Sequence, residues 1–199
     1  MGLELKYEEG QTALDEEEKE GLLISSITTR EELDEFEQQN IEKAIEWTLG
    51  RKFKQEKIIT EEFVCELHYK MFSDVWKWAG DFRHTNKNLG GDWKQIGIRL
   101  KQLNDDCLFW IQKEVYSGED IAIRYKHQIV SIHCFSNGNG RHSRLIADII
   151  VNHIFKKPIF SWGGSSINKK GEARSKYLKA VKEADNGNMK LLLEFAREK

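Results

Sequence analysis

The chain has 199 residues, 31 of them basic and 33 acidic, so its formal net charge is −2. This balance argues against a protein built to bind the nucleic-acid backbone, and three cysteines without paired spacing argue against a disulfide framework. The N-terminus has no apolar signal core, and no apolar run is long enough to cross a bilayer. These features predict a reduced, cytoplasmic protein with no membrane partner and with one domain plus a short appendage.

Apolar residues recur at helical spacing along most of the chain, and the single proline, Pro158, leaves few forced breaks. Residues 1–28 lack this periodicity and are predicted to form an irregular arm. Thr29 and Glu32 form a capping-box pattern that opens the first long helix, and Gly50 ends it. Helices are predicted over residues 29–48, 60–72, 100–115, 121–132, 141–155, 174–184 and 189–197. The sequence therefore predicts an all-α bundle.

One stretch between the second and third of these helices departs from the pattern. From about Phe82 to Gln95 the chain is rich in glycine, asparagine and aromatic residues, which favours a loop that holds at most a short β-hairpin. Composition alone favours a simple surface loop here.

The segment HCFSNGNGRHSR, residues 133–144, joins two apolar helices and carries the residues best suited to chemistry. Gly138 and Gly140 free the backbone to turn sharply, and successive N–H groups at a helix start can hold an anion. Arg141 and Arg144 are three residues apart, so they are neighbours on the first helical turn. A glycine turn beside two guanidinium groups is well matched to a polyphosphate.

Two further side chains of the segment can take part in such chemistry. His133 has an imidazole that can act as a base near neutral pH, and Asn137 has an amide oxygen that can meet Mg²⁺. Taken singly, a turn, a helix-start arginine or a buried histidine is more often structural. Their joint spacing is what favours a functional site.

The same segment resembles the signature of Fic (filamentation-induced-by-cyclic-AMP) domain proteins, which reads His, any, Phe, any, acid, Gly-Asn-Gly-Arg, two residues, Arg. Seven of the eight specified positions match, and Asn137 stands at the acid position. The similarity continues from about Thr60 to the C-terminus. The whole chain is most similar to a bacterial subgroup called mobile mystery protein B, through GQTALDEEEKEGL, ELDEFEQQNI, MFSDVWKWAGDFR and FSWGG. The resemblance implies an N-terminal arm and regulatory helix over residues 1–57 and a Fic domain over residues 58–199.

The resemblance implies a protein adenylyltransferase that moves AMP from ATP to a Ser, Thr or Tyr hydroxyl of a target protein. In that scheme His133 is the base and Phe135 fixes the loop. Three residues of the glycine turn hold the diphosphate, and two arginines neutralise its outer phosphates; these nucleotide-binding residues are Gly138, Asn139, Gly140, Arg141 and Arg144.

The irregular segment 82–95 corresponds in this scheme to the family's flap, which is expected to form a short β-hairpin. Through exposed backbone at Lys87, Asn88, Leu89 and Gly90, it would hold the target protein in an extended form.

Two departures from the family pattern bear on cofactor and regulation. The family's acid ligates Mg²⁺, and the neutral amide of Asn137 should hold that ion less firmly. Many relatives also carry an inhibitory helix whose glutamate pairs with the second motif arginine, here Arg144. The chain has no clean copy of that helix, and Glu37 on the 29–48 helix is the candidate; the alternative is a solvated outer face.

Several alternatives stay open at this level. Within the fold, the chain could be a phosphotransferase that uses another nucleotide or the γ-phosphate, or a catalytically weak binding module paired with a small antitoxin-like partner. A zinc site is disfavoured because the spacing of His127, His133, Cys134 and His142 fits no zinc pattern. The net charge of −2 argues against a nucleic-acid role, although basic residues cluster near the C-terminus at Lys169, Lys170, Arg174, Lys176, Lys179 and Lys182.

Overall fold

The structure, a computed structural model, describes residues 12–164 and 171–198. Over these ranges the chain folds into helices. Their bounds are α1 (Glu16–Lys19), α2 (Arg30–Leu49), α3 (Gln55–Ile58), α4 (Glu61–Phe72), α5 (Ile96–Gln112), α6 (Gly118–Ile132), α7 (Asn139–Ile149), α8 (Glu172–Asp185) and α9 (Lys190–Arg197). A 3₁₀ turn, Trp93–Gln95, precedes α5, and a π-helical turn, Ile150–Ile154, continues α7.

The long helices begin where side chains can cap them. The Thr29 hydroxyl accepts from the Glu32 N–H at the start of α2, and the Glu32 carboxylate accepts in return from the Thr29 N–H. Thr60 caps α4 by accepting from the Phe63 N–H. These contacts satisfy N–H groups that have no partner within the helix, and they confirm the two helix starts predicted from the sequence.

The core is arranged around α6, which packs against both α5 and α7. Its side chains Ile121, Tyr125, Ile129 and Ile132 are almost completely buried. Because α6 ends at Ile132, just before the motif, and α7 begins within the motif at Asn139, the core holds the loop between them at both ends.

Helix α2 packs on α4 and buries polar as well as apolar side chains. Asn40 donates to the carbonyl of Lys70 at 3.0 Å and accepts from the N–H of Asp74 at 2.8 Å. Glu37 is also buried, with 2% of its surface exposed. The outer-face interpretation of Glu37 is therefore wrong, because α2 turns this carboxylate towards the domain.

The all-α prediction is confirmed, with three local differences. The described residues contain one isolated bridge, Leu22 to Trp76, so the segment 82–95 does not form the expected hairpin. The predicted arm contains the short helix α1, and α3 was not predicted. None of the helices in the described ranges is both long and apolar enough to span a bilayer.

Candidate active site

The motif loop is tied together from inside by Asn139, the first residue of α7. Its amide oxygen accepts from the N–H of Phe135 at 3.0 Å, and its amide nitrogen donates to the Phe135 carbonyl at 2.7 Å. The Asn139 side chain therefore shapes the loop, and both ends of its amide are used in doing so. Phe135 is fully buried, in agreement with the role that the resemblance gives it.

His68 on α4 supports this loop, although no pattern in the sequence predicts this role. Its ring stacks on Phe135 with centroids 3.7 Å apart. Nε2 donates to the carbonyl of Asn137 at 3.1 Å, because Nδ1 accepts from the Gly80 N–H at 3.0 Å. Burial lowers the pKa of His68 well below its usual range, so the ring is neutral.

The two glycines of the motif play different structural parts. Gly138 has a φ of +76°, and a Cβ there would lie 2.5 Å from the Phe72 ring, so the turn requires glycine. Gly140 lies within α7, where a Cβ would meet only the tip of Arg144, at 3.9 Å. Packing therefore requires glycine at position 138 and tolerates a larger residue at 140.

His133, the predicted base, ends α6 in a left-handed conformation with φ of +60°, and it is 4% exposed. Its Nδ1 lies 3.2 Å from the carbonyl of Val130, which can only accept, so Nδ1 carries the proton. Burial lowers the pKa of His133 to about 4, so the ring is neutral and Nε2 has a free lone pair. That lone pair faces the hydroxyl of Thr12, with Nε2 and Oγ1 2.6 Å apart.

Arg83 joins the loop after residue 82 to His133. The sequence analysis did not predict a role for this arginine. The guanidinium of Arg83 donates to the carbonyls of His133 at 2.6 Å, Thr85 at 2.6 Å and Gly91 at 2.7 Å. Its own N–H donates to the Cys134 carbonyl at 2.9 Å. One buried side chain thus satisfies three backbone carbonyls, two of them in the loop itself, and it joins the loop to the end of α6.

The four predicted flap residues all lie in this loop. Gly90, with φ of +87°, packs so closely on His133 that an added Cβ would lie 2.5 Å from the histidine Cβ. The Lys87 ammonium donates to Asp15 at 3.0 Å and to Glu18, and its side chain is only 5% exposed. Asn88 and Leu89 lie on the surface. The segment 82–92 is therefore placed beside the base and is covered in part by the N-terminal arm.

Arg141 and Arg144, which share the first turn of α7, differ in their partners. Arg141 donates to the buried carboxylate of Glu37 at 2.6 Å, and Trp76 donates to the other oxygen of that carboxylate, also at 2.6 Å. The expectation that Glu37 would face Arg144 is replaced by a contact with Arg141.

Arg144 lies over the ring of Tyr177, 5.7 Å from its centroid, and bonds to its hydroxyl. The buried ammonium of Lys126 donates to the same hydroxyl at 2.6 Å. Burial lowers the pKa of Arg144 from its usual value, but a guanidinium keeps its proton in proteins. A second cation is thus held beside the glycine turn by α6 and α8.

The residues present do not fit a resident magnesium site. Asn137 Oδ1 accepts from the Gly138 N–H at 2.6 Å, and Nδ2 donates to the carbonyl of Thr12 at 3.3 Å. In the described ranges no three His, Cys, Asp or Glu side chains gather as metal ligands. The same holds for zinc: His127 pairs with Asp185 at 2.8 Å, and His142 contacts the Val64 carbonyl. Lys169 and Lys170 of the basic cluster lie outside the described residues.

Comparison with known proteins places this site in a family. The Fic/DOC family model matches residues 58–151. No curated protein matches the chain in sequence. Among solved structures, BepC from Bartonella tribocorum, a VirB-translocated effector crystallised with AMPPNP, superimposes with a TM-score of 0.68 at 15% identity, covering 92% of this chain and 97% of that one.

Two further structures agree. Fic-1 of C. elegans has a TM-score of 0.66 at 18% identity over 89% of this chain, which spans about half (51%) of the Fic-1 chain. The N-terminal Fic domain of an effector from Bartonella quintana has a TM-score of 0.64 at 15% identity, covering 86% of this chain and 84% of that domain. At such identities the structures establish the fold, and the family model supplies the family of the residues that it matches. Residues 58–151, which carry the motif loop and its glycine turn near their C-terminal end, belong to the Fic/DOC family.

Proposed function

We propose that the protein is a Fic-type protein adenylyltransferase, which transfers AMP from ATP to a hydroxyl side chain of a target protein. The observation that carries the proposal is the state of His133: a neutral imidazole whose unprotonated Nε2 already faces a hydroxyl at 2.6 Å. This is the contact that a general base needs with an attacking alcohol.

The chain supplies the base and its orientation. The Val130 carbonyl accepts from Nδ1 and so keeps the lone pair on Nε2. Because the pKa of His133 is about 4, the lone pair is available throughout the neutral range. The target hydroxyl would give its proton to Nε2 as its oxygen attacks the α-phosphorus, and pyrophosphate would leave.

The glycine turn and α7 supply the complement to the phosphates. The first N–H groups of α7 point out of the helix at its positive end, where anions are favoured. Arg141 and Arg144 would neutralise the charge that builds on the pyrophosphate leaving group. Since the buried carboxylate of Glu37 holds Arg141, a triphosphate has to displace Glu37 before that arginine can act. Glu37 is therefore proposed as an inhibitory residue.

Target recognition is assigned to the loop 82–92. Its exposed backbone lies next to the base through Gly90, and Arg83 fixes its position relative to His133. A target segment that paired with this loop would bring its hydroxyl to Nε2. No step of this scheme is routed through a metal, because the donor set at Asn137 does not hold one by itself.

The proposal is tested by label transfer in cell lysate, with ATP labelled at the α or at the γ position and with Mg²⁺ or a chelator present. The matched control is His133→Asn, because asparagine tolerates the left-handed backbone at this position and cannot take up the proton. We expect label from the α position alone, and a loss of about a hundredfold or more in the control. Glu37→Gln is run beside the wild type so that the inhibitory contact does not mask activity.

The other outcomes separate the alternatives. Label from the γ position alone would make the protein a kinase. Label from neither position, in the wild type and in Glu37→Gln, would favour the binding-module interpretation. Repeating the assay with other nucleoside triphosphates then distinguishes a different co-substrate from no catalysis at all.

A further inference from the structure

The hydroxyl that faces the base belongs to the protein's own N-terminal arm. Thr12 lies 121 positions before His133, yet its Oγ1 is 2.6 Å from Nε2 and only 7% of the residue is exposed. Because Nδ1 of His133 already donates to a carbonyl, Nε2 is the acceptor and Thr12 is the donor. Thr12 therefore donates to the base in the same way that the proposed mechanism requires of a target hydroxyl.

Several independent contacts hold the arm in this place. Asn137 of the motif donates to the Thr12 carbonyl at 3.3 Å, which binds the backbone as well as the hydroxyl. Leu14, two residues further on, is 5% exposed and belongs to the hydrophobic core. The arm thus reaches the site as a packed part of the fold.

The acidic start of α1 extends the attachment to the loop 82–92. Asp15 and Glu18 both receive the Lys87 ammonium, and Asp15 also accepts from the Thr85 hydroxyl at 3.3 Å. The indole of Trp78 donates to the Glu18 carbonyl at 3.0 Å. The arm therefore lies against the segment to which target recognition is assigned, as a bound target would.

We propose that Thr12 is itself a substrate, adenylylated by ATP in the site of its own chain with His133 as the base. This rests on the adenylyltransferase activity proposed above. The Thr12 oxygen forms a bond to the α-phosphorus of ATP, and the bond from that phosphorus to the bridging oxygen of the pyrophosphate breaks. The pyrophosphate leaves with the electron pair, and the hydroxyl proton passes to Nε2. The reaction consumes its own target, so it stops at one AMP per chain.

The test uses the purified full chain with α-labelled ATP and Mg²⁺, followed by peptide mass spectrometry. We expect the AMP on Thr12, at a rate per molecule that does not change with protein concentration, because the attack is intramolecular. Thr12→Val keeps the shape of the side chain without the hydroxyl and should lose the label, whereas Thr12→Ser should retain it. Thr28→Val, which alters an exposed threonine on the same arm, is the control that should label like the wild type.

The outcomes distinguish this inference from the function on which it rests. Label on lysate proteins but none on the chain, or label on the chain at a residue other than Thr12, overturns the inference and leaves the adenylyltransferase standing. Transfer that rises with protein concentration overturns the intramolecular route. No α-label on any protein, including with Glu37→Gln, overturns both.

Discussion

The two ends of the candidate site are both closed by the N-terminal segment, but by different chemistry. At the base end, His133 faces the neutral hydroxyl of Thr12. At the phosphate end, Arg141 is held by the buried carboxylate of Glu37. A neutral hydrogen bond contributes about 1 kcal/mol, whereas one between charged groups contributes about 1.5–3 kcal/mol. The hydrogen bond at the base is therefore weaker than the ion pair at the phosphate end, although other contacts also hold the arm there.

This difference has a consequence for how the site is occupied. A target hydroxyl would have to replace the Thr12 hydroxyl at Nε2 of His133. One neutral hydrogen bond is then exchanged for another, so this contact by itself adds little to the affinity for a target. A triphosphate bound as proposed would have to replace the Glu37 carboxylate, and it would bring more negative charge to Arg141. In this scheme nucleotide binding is the step that Glu37 controls.

Lowering the pH should give the largest effect, a loss in the free energy of unfolding, because His133 at the base end and two other buried histidines are neutral in the folded protein. His68, His133 and His142 are buried with pKa values below that of an unfolded histidine, so between pH 7 and 5 the unfolded chain takes up protons that the folded chain does not. Asp148, whose pKa is raised to about 6, acts in the opposite direction. The net loss in the free energy of unfolding is about 4 kcal/mol on going from pH 7 to 5.

Urea unfolding followed by tryptophan fluorescence measures this loss. In the variant His142→Gln the amide can still donate to the Val64 carbonyl, and about a third of the histidine contribution should disappear. Equal stability at the two pH values would show that these histidines are hydrated in the folded protein.

Replacing glycine separates the turn from the helix that follows it. Gly138→Ala places a Cβ 2.5 Å from Phe72 at a φ of +76° and should cost about 3 kcal/mol of stability. Gly140→Ala meets no such contact and should be nearly neutral in stability. Thermal unfolding of both variants decides the matter, and similar losses for both would contradict the distinction drawn between the two glycines.

Neutralising Glu37 weakens the contact at the phosphate end. Glu37→Gln retains an acceptor for the Trp76 indole but removes the charge that holds Arg141, so affinity for ATP should rise about tenfold. Calorimetric titration with a non-hydrolysable ATP analogue measures it. Glu46→Gln, an exposed carboxylate on the same helix, should leave the affinity unchanged. Unchanged affinity in Glu37→Gln would remove Glu37 from control of the site.

Loosening the arm should give the smallest effect. Lys87→Met removes the ammonium that joins Asp15 and Glu18 to the loop, and should destabilise the arm by about 1 kcal/mol. Limited proteolysis should then cut the arm faster, while the matched exposed pair, tested with Lys43→Met, should show no change. Equal cutting in both variants would mean that the arm is held by its apolar contacts alone.

The sequence was most informative where a local rule decides the structure. Thr29 and Thr60 cap helices because a hydroxyl at that position satisfies N–H groups within three residues, a purely local relation. The motif around Gly138 could be identified for the same reason, since its residues are adjacent in the chain.

The contacts that complete the site join residues far apart in the chain, and no hydrophobic periodicity of the sequence predicts them. Thr12 meets His133 across 121 positions, and Glu37 meets Arg141 across 104. Arg83 is a lone arginine in a polar loop, and its capture of three carbonyls depends on how that loop folds back. Such partners are brought together by tertiary packing, so no local stretch of the sequence predicts them.

The bonds of Arg83 also bear on the kinetics of target capture. A single guanidinium joins the carbonyl of His133 to two carbonyls of the neighbouring loop, so the loop cannot swing away without pulling on the backbone of the base. If the loop binds targets as proposed, these bonds argue against a lid that opens and closes at each turnover. A target would then meet a surface of fixed shape, and the departure of the N-terminal arm would be the conformational change that limits its association.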